Sequence, residues 1–506
     1  MPVGLDGKTS RQQLLQRQFW RAVHRNNYKE LNWLLRSRQH INMFEANEQD
    51  QIGIIVLGLR YDWSCVELMA KNGGGLRHLC RYASFYGDTE ILKFVHTQLR
   101  IDVTTLHDEF DELLLFSAVE GSQPTVIRQL ADWNADLAAK SMQGDSAILL
   151  AAQKGDKEIV QLLNERGLEI GVTDEQGNTI AHHAALVFNG KNILEYLVSK
   201  YGDEFRHDAL SRGDSNVSAS STTSDLDGVQ VQRTVQTSLK LYTTGFNFDS
   251  RNNNGATPAY NAAWKGQLQN LEVLAGVGCN LDLGNEDGNT PLIAAAMTDQ
   301  PSSIAFLIDH GCEVNQMNKG EETALYWAAY NCSAASLEVL LEKGASIEKC
   351  DKYGNSPLLV ASDHGEVKAV RILLKYNANV NHQNQIGETA LMKACAEGHL
   401  ECVQELVRSS LCNPDVRDDE GNTALLWACM TGQMDVFGYL IEFWNVTKEQ
   451  IATLQNNDEE TCIDWIVENK LQRGIDILKK LGVDVPEREV SQSRSKSYSH
   501  ENDIDH

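Results

Sequence analysis

Six stretches of this chain open on nearly the same phrase and fall in a fixed register. TPAYNAAWKGQ starts at Thr257, TPLIAAAMTDQ at Thr290, TALYWAAYNCS at Thr323, SPLLVASDHGE at Ser356, TALMKACAEGH at Thr389 and TALLWACMTGQ at Thr423. Successive starts are 33, 33, 33, 33 and 34 residues apart. A period of this size describes a row of small supersecondary modules. None of them can bury its apolar face alone, so each must lean on its neighbours.

The residue types dictate the module. A Thr or Ser hydroxyl at the start satisfies an orphan N–H of a short first helix. Pro258, Pro291 and Pro357 follow at once, where a missing N–H costs nothing. Small pairs such as Ala262–Ala263 and Ala328–Ala329 let neighbouring modules approach closely. Gly266, Gly365, Gly398 and Gly432 end the first helix. A second apolar-periodic run, such as LEVLLEKGA, reads as an outer helix. Asp, Asn and Gly then turn the chain into the next module.

This pattern resembles the ankyrin repeat, most specifically from Thr257 to about Phe443, and again at Ser146 and Thr179, which are also 33 apart. The resemblance implies an all-α solenoid of stacked helix-turn-helix units with short β-turn tips. The family phrase is T-P-L-H-x-A, yet only His182 fills its His position. Tyr260, Ile293, Tyr326, Leu359, Met392 and Leu426 stand there in the other repeats, which are therefore expected to depend more on apolar packing. Glu321 occupies the usual turn-Gly position, with Gly320 one residue early.

The register continues outward, giving about thirteen repeats in all. Residues 1–110 read as degenerate helical, ankyrin-like repeats and 111–210 as ankyrin repeats. Residues 211–236 form a Ser-rich insert without apolar period. The main array spans 237–485, with 459–485 as a closing repeat of polar outer face. Residues 486–506 read as a solvated tail.

Composition narrows the function. The 506 residues carry 45 Lys and Arg against 70 Asp and Glu, a net charge of −25. Binding of nucleic acid through overall charge is excluded. No run approaches the apolar length of a membrane helix, and no secretory leader is expected. The eleven Cys are scattered with no C-x-x-C, which predicts free thiols in a reducing, cytoplasmic setting rather than disulfides or a zinc site. The sequons at Asn216, Asn331 and Asn445 then carry no glycan.

Catalytic patterns are absent: no phosphate-binding Gly loop, no H-E-x-x-H, no G-x-S-x-G. His107-Asp108-Glu109 lacks the P-C-x-x-C that a deaminase needs. The adjacent His182 and His183 point about 100° apart on a helix, a poor geometry for one metal. No cofactor and no metal are expected. A Cys–His pair assembled in space stays open as the enzymatic alternative, with a site in the first 110 residues or the insert. Arg212–Asp214 spells RGD and reads as coincidence. Ser215–Ser224 could accept phosphate or be a plain linker. Asn315 and Asn381 end turns resembling those that asparaginyl hydroxylases modify in this family, although Asn also simply stabilises such turns.

The resemblance places partner binding on a concave face made by turn tips and the exposed side of the first helices. Carried over by register, the candidate residues are Trp264, Glu286, Asp287, Met297, Tyr330, Tyr353, Asp363, Glu388, Asp419, Glu420 and Met430. Aromatic residues and Met recur there, as at interfaces. From Glu286 to Asp351 there are eleven acids and three Lys, and from Asp419 to Lys470 ten acids and two Lys. A basic or amphipathic peptide or helix would suit such a groove. Alternatively, Trp327 and Trp427 pack between repeats and the acids serve solubility.

Residues 1–40 carry eight Lys or Arg against two acids, with Trp20, Tyr28 and Trp33 interleaved. They read as the polar cap an array needs or as a basic helix for peripheral membrane contact. The leading function is a non-enzymatic protein-interaction scaffold. A second reading is an ankyrin effector injected by an intracellular bacterium, since the polar tail resembles a type IV secretion signal; its setting would be a host cytosol.

Overall fold

The computed structural model describes residues 7–25, 27–36, 53–72, 75–108, 110–211 and 246–485. Among these residues there is no strand, only isolated bridges at His107–Leu113, Lys140–Ser146 and Gln455–Thr461. Everything regular is helix, arranged as the stacked helix pairs that the register predicts. The insert after Ser211, the RGD and Ser-rich stretches within it, and the tail from 486 lie outside the described residues.

Two compact bodies form, one running to Asn253 and one from Asn254. In the second body the inner helices are Pro258–Trp264, Pro291–Met297, Ala324–Tyr330, Pro357–Asp363, Ala390–Glu397, Ala424–Met430 and Cys462–Glu468. Their outer partners are Leu268–Val277, Pro301–Asp309, Ala334–Glu342, Val367–Lys375, Leu400–Arg408, Met434–Trp444 and Gln472–Lys480. An extra helix, Lys448–Thr453, precedes the closing pair. Inner helices pack on inner helices and outer on outer. The first body repeats the scheme with Leu76–Tyr86, Leu114–Glu120, Ala147–Lys154 and Ile180–Leu186 as inner helices. Before them, Gly7–His24 pairs with Tyr28–Arg36 and Gly53–Leu59 with Trp63–Lys71. The outer helix Gly190–Ser211 is 22 residues long, against 9 for Lys157–Glu165 before it.

The helix starts follow the predicted chemistry. Thr257 Oγ1 accepts the Tyr260 N–H at 3.2 Å, Thr290 that of Ile293 at 3.3 Å, and Ser356 that of Leu359 at 3.3 Å. Ala294, Ala295, Ala296, Ala328 and Ala329 are fully buried where inner helices meet, with Ile304, Leu307, Leu337 and Leu340 beneath the outer ones. Each fully buried Leu contributes about 1.5–3 kcal/mol. The outer faces add ion pairs between successive repeats, such as Arg371–Glu405 and Arg128–Glu158, both at 2.9 Å. Exposed pairs of this kind add little each.

Turns are held by one residue placed five before each helix cap. Asn285, Asn318, Asp351, Asn384, Asp418 and Asn456 each accept backbone N–H groups two and four residues on. Asp108 does the same in the first body, and Asp174 and Ser141 each take the N–H four residues on. This side-chain root closes the turn and projects its tip. Tips then join along the stack by backbone bonds. Glu286 N donates to Asn254 O at 2.9 Å, Lys319 N to Asp287 O at 2.8 Å and Lys352 N to Gly320 O at 3.0 Å. In the first body Asn253 N donates to Gln176 O at 2.8 Å, which brings together tips 77 residues apart.

The third residue after the root has positive φ in each of these turns, usually as Gly (Gly288, Gly354, Gly387, Gly421) but as Asp111 at +65°, Glu321 at +62° and Glu459 at +64°. A Cβ in that conformation costs about 1–2 kcal/mol, partly offset by the extra chain entropy of Gly. Glu321→Gly should therefore raise stability by about 0.5–1 kcal/mol, read as a higher urea midpoint at unchanged slope. Asp418→Ala should lower it by about 2–4 kcal/mol, because it strands the buried Asn422 N–H and the Trp427 indole N–H that Asp418 accepts.

Candidate protein-binding face

In three repeats the fourth residue after the helix cap bonds its own turn root. Trp427 Nε1 donates to Asp418 Oδ2 at 2.8 Å, Ser117 Oγ to Asp108 Oδ2 at 3.3 Å, and His183 Nε2 lies 2.9 Å from Asp174 Oδ2. Trp327 and Trp427 are each 6% exposed, so they pack within the array. Two side chains reach the root of the following repeat instead. Tyr326 Oη donates to Asp351 Oδ2 at 3.1 Å, and Arg81 lies 3.5 Å from Asp108. Of the residues that replace the family His, Ile293, Leu359, Met392 and Leu426 are buried apolar side chains, as expected, whereas Tyr326 keeps a polar tie. Where His182 is present, its Nδ1 accepts the Thr179 N–H at 3.1 Å.

The seventh residue forms the exposed column. Trp264, Met297 and Tyr330 are half-buried on three consecutive inner helices, and Met430 is half-buried farther along. Side chains from each following repeat cap the helix ends beneath this column: Thr298 Oγ1 donates to Trp264 O at 2.7 Å and Asn331 Nδ2 to Met297 O at 3.1 Å. The Tyr330 ring meets the His364 ring with centroids 4.2 Å apart. At Asp363 the column turns polar. Lys393, buried at the fourth position of the next helix, lies 3.8 Å from Asp363 and 3.1 Å from Glu388.

Glu388 therefore leaves the set of surface candidates. It is 2% exposed and spends its carboxylate on Lys393 and on Asn384 Nδ2. Burying Lys393 requires a counter-charge beside it, and Glu388 supplies it from inside the turn. Glu286, Asp287, Tyr353, Asp419 and Glu420 are exposed at the tips. The tips are not uniformly acidic, because Lys319 and Lys352 stand between the acidic groups and Tyr353 is followed by an exposed Ile386. Reading by register listed the acidic tip positions and passed over Ile386, although it stands two residues after root Asn384 as Tyr353 does after Asp351. Likewise missed were Tyr86, Phe110 and Met142 of the first body, each more than 60% exposed.

Asn315 and Asn381 have structural duties on the opposite turns. Asn315 Oδ1 accepts the Ser346 N–H at 2.7 Å and Asn381 Oδ1 that of Asn413 at 2.8 Å, so each ties its repeat to the next. In the basic N-terminal segment Trp33 is 60% and Tyr28 44% exposed.

All eleven Cys are free thiols. Burial pushes the Cys65, Cys80 and Cys402 thiols up to about 12. One Cys–His pair does assemble: Cys350 Sγ lies 3.3 Å from His382 Nε2. That nitrogen also lies 2.9 Å from Gly354 O, which can only accept, so Nε2 carries its hydrogen and has no lone pair for the thiol. Burial, then Asp351 and Glu348, hold the Cys350 thiol up in its protonated form. Among the described residues no group of three or more His, Cys, Asp or Glu is placed to hold a metal, and no helix is long and apolar enough to cross a membrane.

Comparison with known proteins agrees with this geometry. The family described as ankyrin repeats (3 copies) matches residues 114–208, 231–318, 311–384 and 377–450, more than half of the chain. The chain belongs to the ankyrin-repeat family. It is also 30% identical over 59 residues to an ankyrin repeat protein of Rickettsia bellii (strain RML369-C), a stretch covering 12% of this chain and 33% of that relative. The chain thus spans about a third of the relative's length. A stacked array of this family is a protein-interaction scaffold.

The His183–Asp174 pair makes the first body sensitive to acid. Burial pulls the His183 pKa below its ordinary 6.5, against the upward pull of Asp174 and Asp145. Burial pushes Asp174 up, but bonds from Asn178 and the neighbouring His183 hold it below 3.8. In both cases the unfolded chain takes up its proton first as pH falls. The contribution of this pair to stability is complete above about pH 6.5 and declines below it, first through His183 and then, under pH 3.8, through Asp174. His183→Gln should flatten the decline between pH 7 and pH 5, measured as urea midpoint against pH.

Proposed function

We propose that this chain is a non-enzymatic scaffold that takes a basic or amphipathic peptide or helix on an acidic, aromatic-containing concave face. The observation that carries the reading is the column Trp264, Met297 and Tyr330, half-exposed on three successive inner helices. Large, stiff aromatic side chains at such positions are the usual anchors of protein interfaces. The exposed tip acids Glu286, Asp287, Asp419 and Glu420 border the column and favour a basic partner, and Tyr353, Asp363 and Met430 complete the face. We place the scaffold in the cytoplasm.

The test is affinity capture with wild type and with Trp264→Ala/Tyr330→Ala/Met430→Ala. Loss of the same bound proteins at unchanged melting temperature is expected. An unaltered set would remove the face. An enzyme would instead lose its function abruptly on one conservative change, whereas a binding face should weaken by degrees, about 1–4 kcal/mol per anchor.

The similarity to a Rickettsia bellii protein favours a second reading, in which an injected effector uses the array to capture host proteins. A translocation assay with and without residues 486–506 decides it. Transfer should depend on that tail, and tail-independent transfer would exclude the secretion role given to it.

A further inference from the structure

Resting on the scaffold reading, the geometry narrows the partner to one pattern. We propose that four adjacent tips form a bipartite docking strip, apolar at one end and acidic at the other. It would bind an extended segment carrying two apolar side chains and, several residues away, a basic cluster.

The apolar end is Tyr353 and Ile386, which are 55% and 56% exposed. They occupy neighbouring tips joined by the Gln385 N–H to Tyr353 O bond of 3.0 Å. The acidic end follows without a gap. Asp419 N donates to Ile386 O at 3.1 Å and Asn457 N to Glu420 O at 2.9 Å. Those two tips expose Asp419, Glu420, Asp458 and Glu459. Asn457 Nδ2 also donates to Asp419 O at 3.0 Å, so the last two tips are doubly tied. Arg417 donates to the Gly421 and Gln455 carbonyls. Four exposed acids thus stand on two joined tips.

Charge complementarity names the occupant and its polarity. Lys352 Nζ lies 4.9 Å from the Tyr353 ring centroid and supplies a positive charge at the apolar end. A partner's basic residues are disfavoured there and favoured over the acids, so the segment can bind in one sense only. Packed helices sit about 8–10 Å apart, which puts the first and fourth tips about 24–30 Å apart. An extended chain covers that distance in about seven to nine residues. The expected pattern is two apolar residues about three apart, then a basic cluster three to six residues beyond.

The probe is a phage-displayed library of random dodecapeptides selected on the full chain. Enriched peptides are then measured by fluorescence anisotropy. The expected result is a consensus of paired apolar residues followed by Arg or Lys at that spacing. Binding should weaken at least tenfold in Tyr353→Ala/Ile386→Ala. It should lose most of its salt dependence in Asp419→Asn/Glu420→Gln/Asp458→Asn/Glu459→Gln. Enrichment without that consensus, or binding that ignores both tip variants, overturns the strip. If those peptides instead depend on Trp264 and Tyr330, the scaffold face stands while the strip fails. Self-association on ultracentrifugation that Tyr353→Ala/Ile386→Ala abolishes would also overturn it, by making a second copy the occupant.

Discussion

Among the described residues, nine turns depend on one short polar side chain each. The Asp, Asn or Ser at the root accepts backbone N–H groups that would otherwise be stranded where the chain reverses. That bond fixes the tip, and the fixed tip can then donate to the carbonyl of its neighbour. The result is a line of backbone hydrogen bonds running across the repeats at right angles to the chain. Apolar burial holds helices together but is non-directional. The tip bonds are directional, and they set how one repeat is registered against the next.

The same root also organises the inner helices. Its second carboxylate oxygen is the partner for Trp427, Ser117 or His183 from the same repeat, or for Tyr326 or Arg81 from the repeat before. Trp427 and His183 are thereby pinned at the fourth position. The seventh position, one turn later, is left facing outward. In these repeats the root that closes a turn also holds a side chain of an inner helix.

Much of this was legible in residue order. The 33-residue register, the Thr and Ser caps and the Pro after them follow from local chemistry, and the structure realises them where expected. The left-handed residue at Glu321 was legible as an irregularity of the phrase. Glu388 was misread because its neighbour in space, Lys393, stands five residues away on the next helix. Nothing in the local pattern announces a buried Lys that draws a carboxylate inward. Ile386 was passed over because a lone Ile in a polar turn looks unremarkable until its register against Tyr353 is counted. The Cys350–His382 contact joins residues 32 apart, and the Gly354 carbonyl beside it competes for the same ring nitrogen.

Residue order alone determined the class of architecture, the length of each repeat and the sites of the turns, because each rests on contacts within a few residues of chain. Only the tertiary structure decided which charges face solvent and which neutralise one another. It also decided that the tip at Asn253 stacks on the tip at Gln176 despite the residues between them. Burial and pairing depend on what the neighbouring repeat brings, and that information is distributed over more than thirty residues of separation.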